Sequence, residues 1–195
     1  MNFIQAFSLR HRPIYDYYLK FFYESLSQVQ LRNQPNEMVN SIVWCLWHVA
    51  RAEDIGINRL ASDGVQVFDA GDWLNRLNIP FRHFGTGMSS DDVADLSQAV
   101  DIDVLWEYHQ LVGQRTIEVL KYYPANNFNR ELEDAQLHKV LGEEEAALET
   151  EVTNVFNSYQ GMTRGWVLMH LGLTHTFQHI GEATTIASLQ GTQRI

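Results

Sequence analysis

A single cysteine, Cys45, stands among 195 residues, which excludes an internal disulfide, a cysteine-cluster metal site and a CxxC redox pair, and fits a reducing compartment. Positive charge is also short. Lys and Arg number 14 against 24 Asp and Glu, so the formal charge is −10, a balance that repels phosphate backbones and anionic lipid heads and argues against nucleic acid or membrane as a partner. The longest mostly apolar run, Ile42 to Ala50, is far below the roughly 20 residues that span a bilayer, and His48 lies inside it. The opening residues carry neither a basic leader nor a sustained apolar segment, so the expectation is a soluble, cytoplasmic chain. Motif absences narrow the chemistry further. There is no GxSxG elbow, Walker A loop or GxGxxG turn, and no pair of Glu-x-x-His motifs for a di-iron centre.

Only 4 Pro and 12 Gly interrupt the chain, and they gather in a few gaps between stretches long enough for unbroken helix. With 45% hydrophobic residues the chain can build a core, and its length favours one domain over 1–195. From Ile14 to Val29 the apolar residues fall on one face of a 3.6-residue helix, with Pro13 where a first turn tolerates proline. A second periodic stretch follows Pro35-Asn36 and runs to Ser62-Asp63-Gly64. A third leads from the capping residues Ser89-Ser90-Asp91-Asp92 to Tyr123-Pro124, and a fourth from Arg164 to Leu189. Between them, residues 63–90 are unusually long and aromatic for a connection, with a short helix predicted near Asp72 to Leu77. Residues 125–138 read as irregular, and the acidic stretch Glu143 to Glu151 as a surface helix. No alternating strand pattern occurs, so the predicted fold is all-α, a four-helix bundle with additional short helices in the connections.

Eight histidines are present, and His175 and His179 have the i, i+4 spacing that places two imidazoles on one helical face. About 0.3 such pairs arise by chance at this histidine content, so the spacing needs a structural reason. One exists. The pair is ~40° apart and shares a stripe with Leu168, Leu171, Gly172, Ala183 and Ile186, a stripe that should face the bundle interior. Neutral imidazoles placed there need partners for their ring nitrogens. A shared cation satisfies them if a third ligand arrives from another helix, and His48, flanked by Trp44, Cys45 and Ala52 on its own face, is the candidate. The alternative is three histidines hydrogen-bonded separately in the core or at the surface.

The segment Trp44 to Asp54 and the segment His170 to Glu182, reading HLGLTHTFQHIGE, together resemble the DinB/YfiT-like four-helix proteins, whose pattern is one His on the second helix and His-x-x-x-His on the last. The resemblance extends to helix order over nearly the whole chain. It implies one divalent metal, usually zinc or nickel, held by His48, His175 and His179, with open positions for water or substrate and often a homodimer. Characterised relatives include transferases and isomerases that use a low-molecular-weight thiol. The expectation is therefore a metal-dependent enzyme that activates water or such a thiol for transfer or hydrolysis on a small substrate. The alternative is a non-catalytic metal-binding or stress-related structural or interaction protein.

Other residues near these motifs carry two readings each. Glu182, one turn after His179, can orient that ligand or shuttle a proton, or be an exposed or helix-paired carboxylate. Arg51 can anchor an anionic substrate or sit in a surface salt bridge, and Glu53 and Asp54 are expected to face out. Cys45 can be a soft ligand or a small packing residue. His170, five residues before His175, points ~140° away on a regular helix and should join the same site only if the helix is distorted. His11, His83, His109 and His138 have no partner at ligand spacing. Trp73, Phe81 and Phe84 can form a lid over an open metal position or simply anchor the long insertion.

Overall fold

The computed structural model describes residues 3–192, and among them helix is the dominant element, with extended pairing limited to two isolated bridges. Helix α1 passes through Phe3–Pro13, Ile14–Leu19 and Lys20–Ser25. It begins at Phe3, well before the expected Ile14, because buried Phe7 and His11 continue the same inward face as Ile14. Pro13 lies inside it. Proline brings no N–H to the helical ladder, and the chain passes it by widening into π turns over Ile14–Leu19. The helix stops at Ser25, short of Val29. Leu26 turns extended and Ser27 starts the short α2, Gln28–Arg32, through a capping box with Gln30.

Helix α3 comprises Ile42–Glu53 and a π-turn continuation, Asp54–Ala61. Ser41 caps it, its hydroxyl accepting the Trp44 N–H at 3.0 Å. Every residue of Ile42–Glu53 is buried, so α3 is the axis of the bundle and its polar side chains must find partners inside. The expected short helix forms as α4, Trp73–Leu77. The third long segment divides into α5, Ser90–Ala99, and α6, Ile102–Lys121. Val100 is extended there, and Asp101 caps α6 by accepting the N–H groups of Asp103 and Val104 at 3.1 Å each, a competing local bond that apolar periodicity does not register.

Residues 125–160 depart most from expectation. Helix α7, Asp134–His138 continued by Lys139–Glu143, forms within the stretch read as partly irregular, because Leu137, Val140 and Leu141 give it a buried face. The acidic stretch read as a helix is interrupted at residues 144–148, with Glu145 at a φ of 56°, and resumes only as a single 3-10 turn, Glu149–Glu151, that leads into the next α-helix, α8, Val152–Tyr159. Helix α9 consists of Arg164–Met169, a π turn at His170–Thr174, and His175–Leu189.

The four long helices α1, α3, α6 and α9 make the predicted four-helix bundle, with α9 lying along α3. Two glycines permit the close approach at its centre. A Cβ on Gly56 would lie 2.2 Å from Leu171 Cδ1, and one on Gly172 would lie 2.6 Å from the Phe7 ring. Among the described residues, no helix is long and apolar enough to cross a membrane.

Candidate metal centre

The axial position of α3 and the π turn of α9 together place the histidines. His48 sits in the middle of α3 with 4% of its surface exposed. On α9 the π turn adds a residue to the helical register, so below it the core stripe runs through Thr176, Ile180, Ala183 and Ile186. His175 and His179 therefore fall beside that stripe, half-buried, and do not point fully into the core as a regular helix would require. The cluster therefore lies at the edge of the bundle, with its α9 side partly open to solvent.

The structure brings His48, His175 and His179 together from two helices. Their ring centroids are 4.8, 4.6 and 4.7 Å apart, and one nitrogen from each falls within 4.8 Å of the others. His48 Nδ1 donates to the Phe84 carbonyl, which leaves Nε2 of the neutral ring with its lone pair. His179 Nδ1 faces Glu182 Oε2 at 2.9 Å, which leaves its Nε2 free in the same way. His175 Nε2 lies 3.0 Å from His48 Nε2, while its buried Nδ1 has no hydrogen-bond partner among the described residues. Trp44 stacks on His48 at 4.6 Å and 12° and meets His179 edge-on.

The electrostatics favour lone pairs over protons at this site. Burial, reinforced by the adjacent His179, pushes His48 down to about 3, and burial with His48, His179 and His170 alongside pushes His175 down to about 2. Both rings are neutral near pH 7. The hydrogen bond from His179 holds the Glu182 carboxyl below its ordinary range, with Asn40 adding to the effect. Two ring nitrogens bound to one cation at about 2.0–2.1 Å lie roughly 2.9–3.4 Å apart for angles from ~90° to ~109°. The observed His48–His175 separation falls in that interval, and with one nitrogen from each of the three rings within 4.8 Å of the others the cluster could hold a divalent ion.

The profile of the DinB superfamily matches residues 17–183. The chain belongs to the DinB superfamily. Among solved structures, the DinB-type bundle described here is similar to a conserved protein from Enterococcus faecalis, with a TM-score of 0.72 and 14% identity over 98% of this chain and 99% of that one, a likeness of fold. A comparison with curated proteins gave no match. Superfamily membership and the three-histidine cluster fit a metal-dependent protein.

Several residues near the motifs occupy places that the sequence did not predict. Arg51 is no surface residue. It is 1% exposed and donates to Tyr108 Oη at 2.8 Å, Gln66 Oε1 at 3.0 Å and the Arg82 carbonyl at 3.1 Å, with Asp54 at 3.5 Å and the Phe68 ring beneath its guanidinium. Asp54, expected outside, is fully buried and accepts from the backbone of Val67 and Phe68, from Asn58 and from Tyr108. Glu53 is buried as well, accepting from Tyr15 and Thr116 and paired with His11. An all-buried α3 forces each of these polar groups into an internal network.

That network explains the long insertion. Arg51 and Asp54 grip residues 66–68 and 82, and so seat the Phe84 carbonyl against His48. Of the three aromatic residues considered as a lid, Trp73 packs on Tyr108 and Phe81 lies beside His83, while Phe84 borders the cluster, its ring 6.2 Å from that of His48. Nothing in the sequence could have singled out Phe84 for this, because any residue supplies a carbonyl. Cys45 is buried, with its Sγ within 4.8 Å of the ligand atoms of His179 and Glu182. The π turn distorts α9 at His170, whose ring comes within 5.6 Å of that of His175 while stacking on Trp166. His170 stays outside the three-residue cluster. His11, His83, His109 and His138 do so too: the first three are buried elsewhere, and His138 is exposed against Phe156.

Proposed function

We propose that the protein is a metal-dependent enzyme in which His48, His175 and His179 hold one divalent ion, zinc or nickel, and which transfers water or a low-molecular-weight thiol to a small substrate. The observation that carries this reading is the convergence of three imidazoles at a half-buried edge, two of them with Nδ1 engaged by the protein so that the Nε2 lone pair serves as the donor a cation would need. A cation held by three protein nitrogens keeps positions open and lowers the pKa of a bound water or thiol, giving a nucleophile near neutral pH.

The chain's own residues would do the rest. His48 is locked by the Phe84 carbonyl and the Trp44 ring, so one ligand is fixed in orientation before a substrate arrives. Trp44 and Phe84 supply apolar walls beside it, and the partial exposure of His175 and His179 supports access from solvent on the α9 side. The negative formal charge supports a small-molecule substrate over nucleic acid. A cytoplasmic location and a homodimer are part of the same proposal. The test is an assay of zinc- or nickel-loaded protein with a panel of thiols against electrophilic substrates. Turnover that depends on metal and is lost in His175→Ala supports an enzyme; metal binding with no turnover across the panel supports a non-catalytic metal-binding protein.

A further inference from the structure

We propose that Glu182 is a positioning residue for the metal centre, holding His179 with Nδ1 protonated and Nε2 free, and that Asn40 clamps Glu182 in place for that purpose. The inference rests on the three-histidine reading above. Glu182 lies one turn beyond His179 on α9, and its Oε2 accepts from Nδ1 at 2.9 Å. Its other oxygen, Oε1, accepts from Asn40 Nδ2 at 3.1 Å. Asn40 immediately precedes the Ser41 cap of α3, so this carboxylate ties the two ligand-bearing helices together. Cys45, buried on α3 one turn before His48, lies close by, its Sγ within 4.8 Å of this group.

The same atoms suggest a rival arrangement, because Cys45, His179 and Glu182 are themselves close enough to surround a cation. Hydrogen bonding argues against it. Both oxygens of this carboxylate already accept a hydrogen bond, Oε2 from His179 and Oε1 from Asn40, so it is engaged as an acceptor on both sides. Using His179 Nδ1 as a ligand would also require that nitrogen to lose the proton it gives to Glu182. Support is then shared unevenly in the cluster: His48 has a neutral carbonyl behind it, His179 a carboxylate, and His175 no protein partner at Nδ1. A carboxylate behind an imidazole raises the basicity of its other nitrogen, so removing it should weaken metal binding.

The experiment uses the full chain and zinc. Zinc affinity and stoichiometry are measured by competition with a chromophoric chelator for wild type, Glu182→Gln, Glu182→Ala, Cys45→Ser and His175→Ala. The histidine tautomers of the metal-free protein are read by nitrogen-15 NMR. The proposal expects one zinc per chain in wild type, affinity about 10–100-fold weaker in Glu182→Ala with Glu182→Gln between, and loss of the Nδ1–H preference at His179 alone. Unchanged affinity and an unchanged His179 tautomer in both Glu182 variants would overturn it. Two zinc ions per chain in wild type, falling to one in Glu182→Ala and Cys45→Ser, would overturn it in favour of Glu182 as a ligand. Full zinc affinity in His175→Ala strikes the three-histidine reading instead, so the two failures are separable. Glu182→Gln, nearly isosteric, carries the test if Glu182→Ala does not fold.

Discussion

Replacing Asp54 with Ala should be among the most damaging single changes in the chain. Asp54 is fully buried, and its carboxylate receives Tyr108, Asn58 and the backbone N–H groups of Val67 and Phe68 while facing the 1% exposed Arg51. Alanine leaves a buried guanidinium without its counter-charge and two backbone donors without an acceptor. Breaking a buried pair in this way costs about 3–5 kcal/mol, a large part of the roughly 5–15 kcal/mol by which domains are stable. For a domain of this size each kcal/mol moves the melting temperature by roughly 2–4 °C, so a fall on the order of 10 °C is expected. Arg130→Ala is the control. It removes an ion pair with Glu133 whose partners are 51% and 58% exposed, and should change stability by less than about 1 kcal/mol. Urea unfolding of the three proteins at neutral pH decides the matter. Asp54→Ala within about 1 kcal/mol of wild type would refute the claim that this network seats the 63–90 segment.

Three further predictions follow from other parts of the fold. His109, buried and donating to the Leu46 carbonyl, is pushed by burial from 6.5 to about 4. The unfolded chain therefore binds the extra proton between those values, and stability should fall as pH drops from 6.5 towards 4, by up to roughly 3 kcal/mol from this group, a slope that His109→Gln should reduce. Glu144 is held below its ordinary 4.5, chiefly by the hydrogen bond from Arg59. Its contribution is present above the unfolded carboxyl range and lost as pH falls through the lower folded value, so the stability gap between wild type and Glu144→Gln should close in acid. Gly56→Ala would press a Cβ to 2.2 Å from Leu171 Cδ1 and should cost about 1–3 kcal/mol; a double-mutant cycle with Leu171→Ala should recover part of that loss.

The helical class and the approximate course of the long helices were legible because their apolar residues recur at helical spacing; Leu168, Leu171, Ala183 and Ile186 are all buried on α9. Helix ends were less so. Asp101 divides one expected helix in two by local hydrogen bonding, and Phe7 and His11 extend α1 across a proline that would ordinarily mark a start. The histidine spacing and its resemblance to a known pattern pointed to His48, His175 and His179, which the fold does bring together. Their half-buried setting was not legible, because the π turn at His170–Thr174 shifts a register that the sequence presents as continuous. Glu53, Asp54 and Arg51 misled for a different reason. Charge usually means surface, and only the complete burial of α3 shows that these three form an internal scaffold.

The most direct measurement is the metal content of protein loaded with zinc or nickel and then freed of excess, compared among wild type, His48→Ala and His175→Ala. The account predicts about one ion per chain in wild type and loss of that ion in both variants, with the helical fold retained by circular dichroism. Wild type without metal, or variants that keep as much as wild type, would contradict it.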